Sequence, residues 1–101
     1  MYVILTSKPG KFRTEMVDGL RTVEVYDYLF YGDKKARFVI AELLKDTKIR
    51  VVEEDTEIVN NVPSKFFEKF DTVDRARVEL KHLTEFGHVE ATLKQVVVAD
   101  A

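Results

Sequence analysis

Residues 12–41 read FRTEMVDGLRTVEVYDYLFYGDKKARFVIA and carry the strongest fold signal in the chain. Turn signals divide this stretch into short runs that are rich in strand-forming residues. Asp18-Gly19 suits the positive φ values of a type I′ turn between two strands. A two-residue loop there fixes a register in which Arg13 lies opposite Glu24, one of several cross-strand pairs with complementary side chains. The stretch therefore predicts a hairpin as the start of an antiparallel sheet.

Two further turns extend the predicted sheet into a meander. Residues 32–35 form the second turn and lead into an apolar strand, and Asp46-Thr47 marks the third. Pro63 ends the strand of residues 56–61, and after Pro63 the apolar residues recur at helical spacing. The predicted strands other than those of the first hairpin are residues 2–5, 36–41, 49–52, 56–61 and 89–98.

One helix follows the meander. Its apolar positions recur at helical spacing, Asp71 or Thr72 is a natural N-cap, and Gly87 is a plausible C-cap. These signals predict a helix over residues 72–86. The apolar positions are Phe70, Val73, Ala76, Leu80 and Leu83. The predicted fold class is α+β: an antiparallel β-meander, with strongly bent and barrel-like forms both open, one helix of the C-terminal half packed on it, and a closing strand.

Composition limits the class of protein. The chain has 101 residues with 46% hydrophobic content, which predicts a single α+β domain over residues 1–101. It has no apolar run near the roughly 20 residues needed to cross a bilayer, so we expect no membrane association. It has no cysteine, which favours a reducing cytoplasmic location. The net charge of −2 gives no basic face of the kind that nucleic-acid binding needs, so nucleic acid is not an expected partner.

Asp27 is the sharpest lead for chemistry. Strand alternation places it on the same face as Val25, which should look inward, and a four-residue loop over residues 32–35 would put it opposite Ile40. A carboxylate in such a place is paired, hydrogen-bonded, or protonated with a raised pKa suited to general acid or base chemistry. A bulge near Tyr26 would instead turn it outward.

Aromatic residues are the second lead. The tyrosines and phenylalanines of residues 26–38 could line a pocket for a planar ligand, form a protein contact surface, or pack as ordinary strand residues. Three phenylalanines within residues 66–70 could pack entirely in the core, or one helical turn could bury two of them and leave one exposed as a docking point. The candidate interface residues are Tyr26, Tyr28, Phe30, Phe66 and Phe67.

No sequence motif fixes a reaction. His82, Glu85 and His88 match no zinc-binding helix motif, so no metal and no cofactor are expected. The favoured hypothesis is a small non-catalytic accessory protein, which binds another protein or itself and could be a subunit of a larger complex. Self-association is considered because residues 2–5 and 96–98 are apolar and could form unprotected sheet edges. The alternative is a small-molecule-binding or proton-transfer domain with a pocket between sheet and helix. The candidate ligand-binding residues for that alternative are Asp27, Tyr28, Arg37 and His82.

Overall fold

The computed structural model of the chain describes residues 1–84 and 91–98. Over these residues the fold is α+β, as predicted, with antiparallel strands in two sheets and one α-helix. The two sheets are not closed into a barrel in the part of the chain described. The strands are β1 (Tyr2–Ser7), β2 (Phe12–Glu15), β3 (Leu20–Phe30), β4 (Asp33–Leu43), β5 (Lys48–Glu53), β6 (Val59–Pro63) and β7 (Ala91–Val96).

The two sheets divide the strands unevenly. The four-stranded sheet has the order β1-β4-β3-β7, and the three-stranded sheet has the order β2-β5-β6. A 3₁₀ turn at Ser64–Phe66 and the helix α1 (Val73–Thr84) lie between β6 and β7 in sequence. The four-stranded sheet is therefore completed by the last strand, which pairs with β3 far away in the chain.

The hairpin of β3 and β4 confirms one of the three predicted turns. Phe30 lies opposite Asp33, so the loop is the dipeptide Tyr31-Gly32 and not residues 32–35. Both loop residues have positive φ, 51° and 82°, as a type I′ turn requires. Because the loop is shorter than predicted, the register of the hairpin differs from the predicted one.

The predicted first hairpin is wrong. β2 pairs with β5, and Arg13 lies opposite Val52 and not opposite Glu24. The tight turn itself exists, since Gly19 has a φ of 96° and the N–H of Leu20 donates to the carbonyl of Val17 at 3.2 Å. After that turn the strands diverge into different sheets.

Long-range partners explain why the strands diverge. The charges that suggested the first hairpin have other partners: the Arg13 guanidinium contacts Glu15 at 3.1 Å and Glu54 at 3.2 Å. Strand pairing is chosen by the whole core, so a correctly identified turn does not fix which strands it joins.

The predicted third hairpin is also wrong, because β4 and β5 lie in different sheets. The connection between them crosses from one sheet to the other. The N–H of Leu44 donates to the carbonyl of Gly19, and the N–H of Thr47 donates to Ser64 Oγ at 3.1 Å. These bonds hold the crossing in place, where a hairpin would have paired the two strands directly.

Both faces of the four-stranded sheet are covered by core residues. One face packs against α1, and the other packs against the three-stranded sheet through Ile49. The buried cluster on the helix side is Ala36, Phe38, Ile40, Ala76 and Leu80. The buried cluster on the other side is Val3, Leu5, Ala41 and Ile49.

The helix and the closing strand confirm the predictions for the C-terminal half. Thr72 is the N-cap, with its Oγ1 accepting a hydrogen bond from the N–H of Arg75 at 3.1 Å. The predicted helix end at residue 86 and the predicted cap at Gly87 lie outside the described residues. Within the described residues, no helix is long and apolar enough to span a membrane.

Candidate interaction site

The free edge of the four-stranded sheet is identified by following the backbone hydrogen bonds across it. In an antiparallel sheet, alternate residues of a strand direct their N–H and C=O groups to opposite sides. The N–H of Leu43 donates to the carbonyl of Met1 at 2.8 Å, which assigns the odd-numbered residues of β4 to β1. The N–H of Leu44 donates to Gly19, on the β3 side, which agrees with this assignment. The even-numbered residues of β4 therefore bond to β3.

The same alternation continues to β7. Tyr26 lies opposite Phe38 and bonds to β4, so Val25 and Asp27 direct their backbone groups to β7. Asp27 lies opposite Lys94, which directs the backbone groups of Lys94 inward. The N–H and C=O groups of the alternate residues of β7 therefore point out of the sheet. We call these groups, on Leu93 and Gln95, the β7 edge, and Val97 follows directly after the end of the strand.

The outer edge of β1 is blocked near both of its ends. The N–H and C=O of Tyr2 both bond to Phe70, each at 2.8 Å. The carbonyl of Thr6 accepts a hydrogen bond from Thr14 Oγ1. Although the sequence suggested residues 2–5 as an unprotected edge, little room remains there for an added strand.

In the three-stranded sheet, the outer edge of β2 is covered and that of β6 is blunted at its Pro63 end. Lys8 and Phe12 exchange both backbone hydrogen bonds, and Ser7 Oγ accepts from the N–H of Thr14, so β2 is covered. The N–H of Glu53, at the end of β5, donates to the carbonyl of Ile58, which directly precedes β6. By the alternation of backbone groups along β6, Pro63 then lies with its backbone groups facing out of the sheet. Proline has no N–H to offer and blunts a sheet edge.

The β7 edge lacks such protection among the described residues. No described residue forms a backbone hydrogen bond to the outward groups of Leu93 or Gln95. Leu93 packs against the core on the helix side, whereas the side chain of Val97 is 93% exposed. Lys94 is the one charged side chain between Ala91 and Val98, so the edge combines strand-forming residues with little charge.

The Asp27 carboxylate is paired with basic side chains. The Arg37 Nε donates to one carboxylate oxygen at 2.7 Å and its NH2 nitrogen donates to the other at 3.1 Å, while Lys34 Nζ lies 3.5 Å away. Arg37 therefore lowers the pKa of Asp27. Asp27 lies opposite Arg37 and not opposite Ile40, so the predicted cross-strand neighbour is wrong. Of the three states considered for this carboxylate, the structure has the paired one.

A second carboxylate, Glu24, joins β3 to the helix and to β7. Its side chain is 12% exposed. It accepts two hydrogen bonds from the Arg77 guanidinium at 2.8 and 2.6 Å, one from the Tyr26 hydroxyl at 2.9 Å and one from Gln95 Nε2 at 3.3 Å. The Arg77 hydrogen bonds lower the pKa of Glu24, while burial and the bond to Glu24 raise the pKa of Tyr26. No local sequence pattern indicates this cluster, because Arg77 lies 53 positions beyond Glu24.

The four candidate ligand-binding residues do not converge. Asp27 and Arg37 meet on the face of the sheet opposite the helix, and Tyr28 packs on the helix face. His82 is exposed on α1 and borders a cleft of about 310 Å³ that is also lined by Glu79. Glu85 and His88 lie outside the described residues. Among the described residues, no three His, Cys, Asp or Glu side chains form a group able to hold a metal ion.

The candidate interface aromatics differ in exposure. Tyr26 and Tyr28 are partly buried on the helix face, and Phe30 stacks edge-on against Tyr31 with ring centroids 4.7 Å apart. Phe67 packs against the core, whereas Phe66 is 71% exposed. Phe70 is likewise partly buried against the core, so Phe66 is the exposed one of the three phenylalanines, and its use as a docking point stays a prediction.

Over the described residues, the chain has an α+β fold with two antiparallel sheets and an open edge at β7. Comparisons with protein-family models, with curated proteins and with solved structures found no match to it.

Proposed function

We propose that the chain is a non-catalytic protein-interaction module that accepts an extended strand of another polypeptide at the β7 edge. The observation that carries this proposal is the contrast between edges: β1, β2 and β6 are covered or blunted, whereas the outward groups of Leu93 and Gln95 have no partner among the described residues. Strand addition supplies main-chain hydrogen bonds for affinity, and alternate side chains supply specificity.

The packing between sheet and helix supports this function over the small-molecule alternative. The space between them holds five buried apolar side chains. A cleft of about 310 Å³ lies beside the outer surface of α1 and is lined mostly by charged residues, and it includes His82 but not Asp27, Tyr28 or Arg37. A role as an accessory subunit fits these observations, and we place it in the cytoplasm because a chain without cysteine needs no oxidising compartment.

Proline substitution at Gln95 tests the proposal. The backbone N–H of Gln95 points out of the sheet, so Gln95→Pro removes an outward donor without removing a backbone bond to β3, and its one loss toward β3 is the side-chain bond to Glu24 at 3.3 Å. The matched control is Asn61→Pro on β6, where the N–H also points outward. Each variant and the wild-type protein are purified gently from the natural source and examined by native mass spectrometry.

We expect the wild-type protein and Asn61→Pro to retain a protein partner that Gln95→Pro loses. The partner can be a different protein or a second copy of the chain. The same set of partners on all three proteins would contradict the proposal, and so would a retained small molecule with no protein partner.

A further inference from the structure

We propose that the polypeptide bound at the β7 edge is a second copy of this chain, paired antiparallel about a twofold axis through Gln95. This inference rests on the proposed function and names its partner. The pairing would join two four-stranded sheets into one continuous sheet, with β7 of each copy at the centre.

Backbone direction restricts the register. Hydrogen-bonded pairs between copies must join outward-facing residues, which are the odd-numbered residues of β7. A twofold axis at Lys94 would place the two Lys94 side chains directly opposite each other, and like charges in that position are destabilising. An axis at Leu93 would leave Val97, the most exposed large apolar side chain described, without a described partner.

An axis at Gln95 avoids both problems. Leu93 then lies opposite Val97 of the second copy, an apolar pair that occurs twice and covers the exposed valine. Gln95 lies opposite its own symmetry mate, and Lys94 lies opposite Val96 of the second copy. Each hydrogen-bonded pair exchanges two backbone bonds, so the three pairs make about six bonds.

The size of this contact predicts its strength. An edge pairing of a few residues is smaller than the roughly 1,200–2,000 Å² buried in ordinary stable interfaces. We therefore expect a dimer that dissociates on dilution.

Cysteine cross-linking tests the register, because the chain has no cysteine of its own. In Gln95→Cys, two cysteines would face each other in a hydrogen-bonded pair with Cα atoms about 5.5 Å apart, within the range of a disulfide. In the control Lys94→Cys, the same residues of the two copies are diagonal neighbours at about 7–8 Å, which is too far. Purified proteins are oxidised mildly at equal concentration and analysed by non-reducing electrophoresis and intact mass.

We expect most of Gln95→Cys and little of Lys94→Cys to form a covalent dimer, and we expect wild-type protein to sediment as a dimer that dissociates on dilution. Cross-linking of Lys94→Cys alone would overturn the register. Wild-type protein that is monomeric at every concentration, with neither variant cross-linked, would overturn the second copy as partner. In that case the proposed function still stands if Gln95→Pro loses a different protein in the native mass spectra, and it fails separately if Gln95→Pro keeps every partner.

Discussion

At the scale of single residues, two carboxylates of β3 serve opposite faces of the same sheet. Asp27 pairs with Arg37 on one face, and Glu24 receives Arg77, Tyr26 and Gln95 on the other. Both have a lowered pKa because guanidinium groups stabilise the charged form. Neither carboxylate is held protonated, so neither is arranged for the general acid role considered for Asp27.

The role of Glu24 predicts a pH dependence of stability. A carboxylate whose pKa is lower in the folded than in the unfolded protein contributes stability above its unfolded pKa, and this contribution is lost as the pH falls through the folded pKa. For Glu24 the loss begins near its ordinary pKa of 4.5 and continues at lower pH.

Replacing Glu24 with Gln should lower the free energy of unfolding at pH 7 by about 1–3 kcal/mol, because the charged hydrogen bonds of a mostly buried group are lost. Urea unfolding at several pH values measures this effect, and the difference between variant and wild-type protein should shrink below pH 4.5. Glu15→Gln, at a more exposed carboxylate, is the matched control. An equal difference at all pH values would contradict the assignment.

At the scale of elements, local signals predicted three features well. The hairpin of β3 and β4, the helix with Thr72 as its cap, and the closing strand all follow from periodicity and turn chemistry within short windows. The pairing of β2 could not be predicted in this way, because the turn at Gly19 is compatible with both a hairpin and a crossing between sheets. Which edges remain open depends on these pairings, so the β7 edge was suggested only as an apolar segment.

The direction of backbone groups on β7 predicts a sharp contrast between neighbouring proline variants. Lys94→Pro removes a backbone donor to β3 and should lower the free energy of unfolding by at least about 1 kcal/mol, whereas Gln95→Pro loses only the 3.3 Å side-chain bond to Glu24 and should lower it by less in dilute protein. Thermal and urea unfolding of both variants measure the contrast. Equal destabilisation, or a larger loss for Gln95→Pro, would show that the edge is assigned to the wrong residues.

At the scale of the whole molecule, the two sheets protect each other's edges. Ser7 and Lys8 at the end of β1 cover β2, Phe70 covers the start of β1, and Pro63 blunts β6. Such protection is how soluble proteins avoid unwanted strand pairing. Among the described residues the β7 edge has no such protection, which is the reason that we propose it as the contact site. No single sequence motif could supply this proposal, because it depends on the arrangement of all seven described strands.

Amide hydrogen exchange of β7 tests this conclusion most directly. In dilute, monomeric protein, the amides of Leu93 and Gln95 should exchange rapidly, while those of Lys94 and Val96 should be protected by their bonds to β3. Raising the protein concentration should protect Leu93 and Gln95 as well, if a second copy binds at the edge. Slow exchange of Leu93 and Gln95 in the dilute monomer would contradict the account, because it would mean that the β7 edge is already covered.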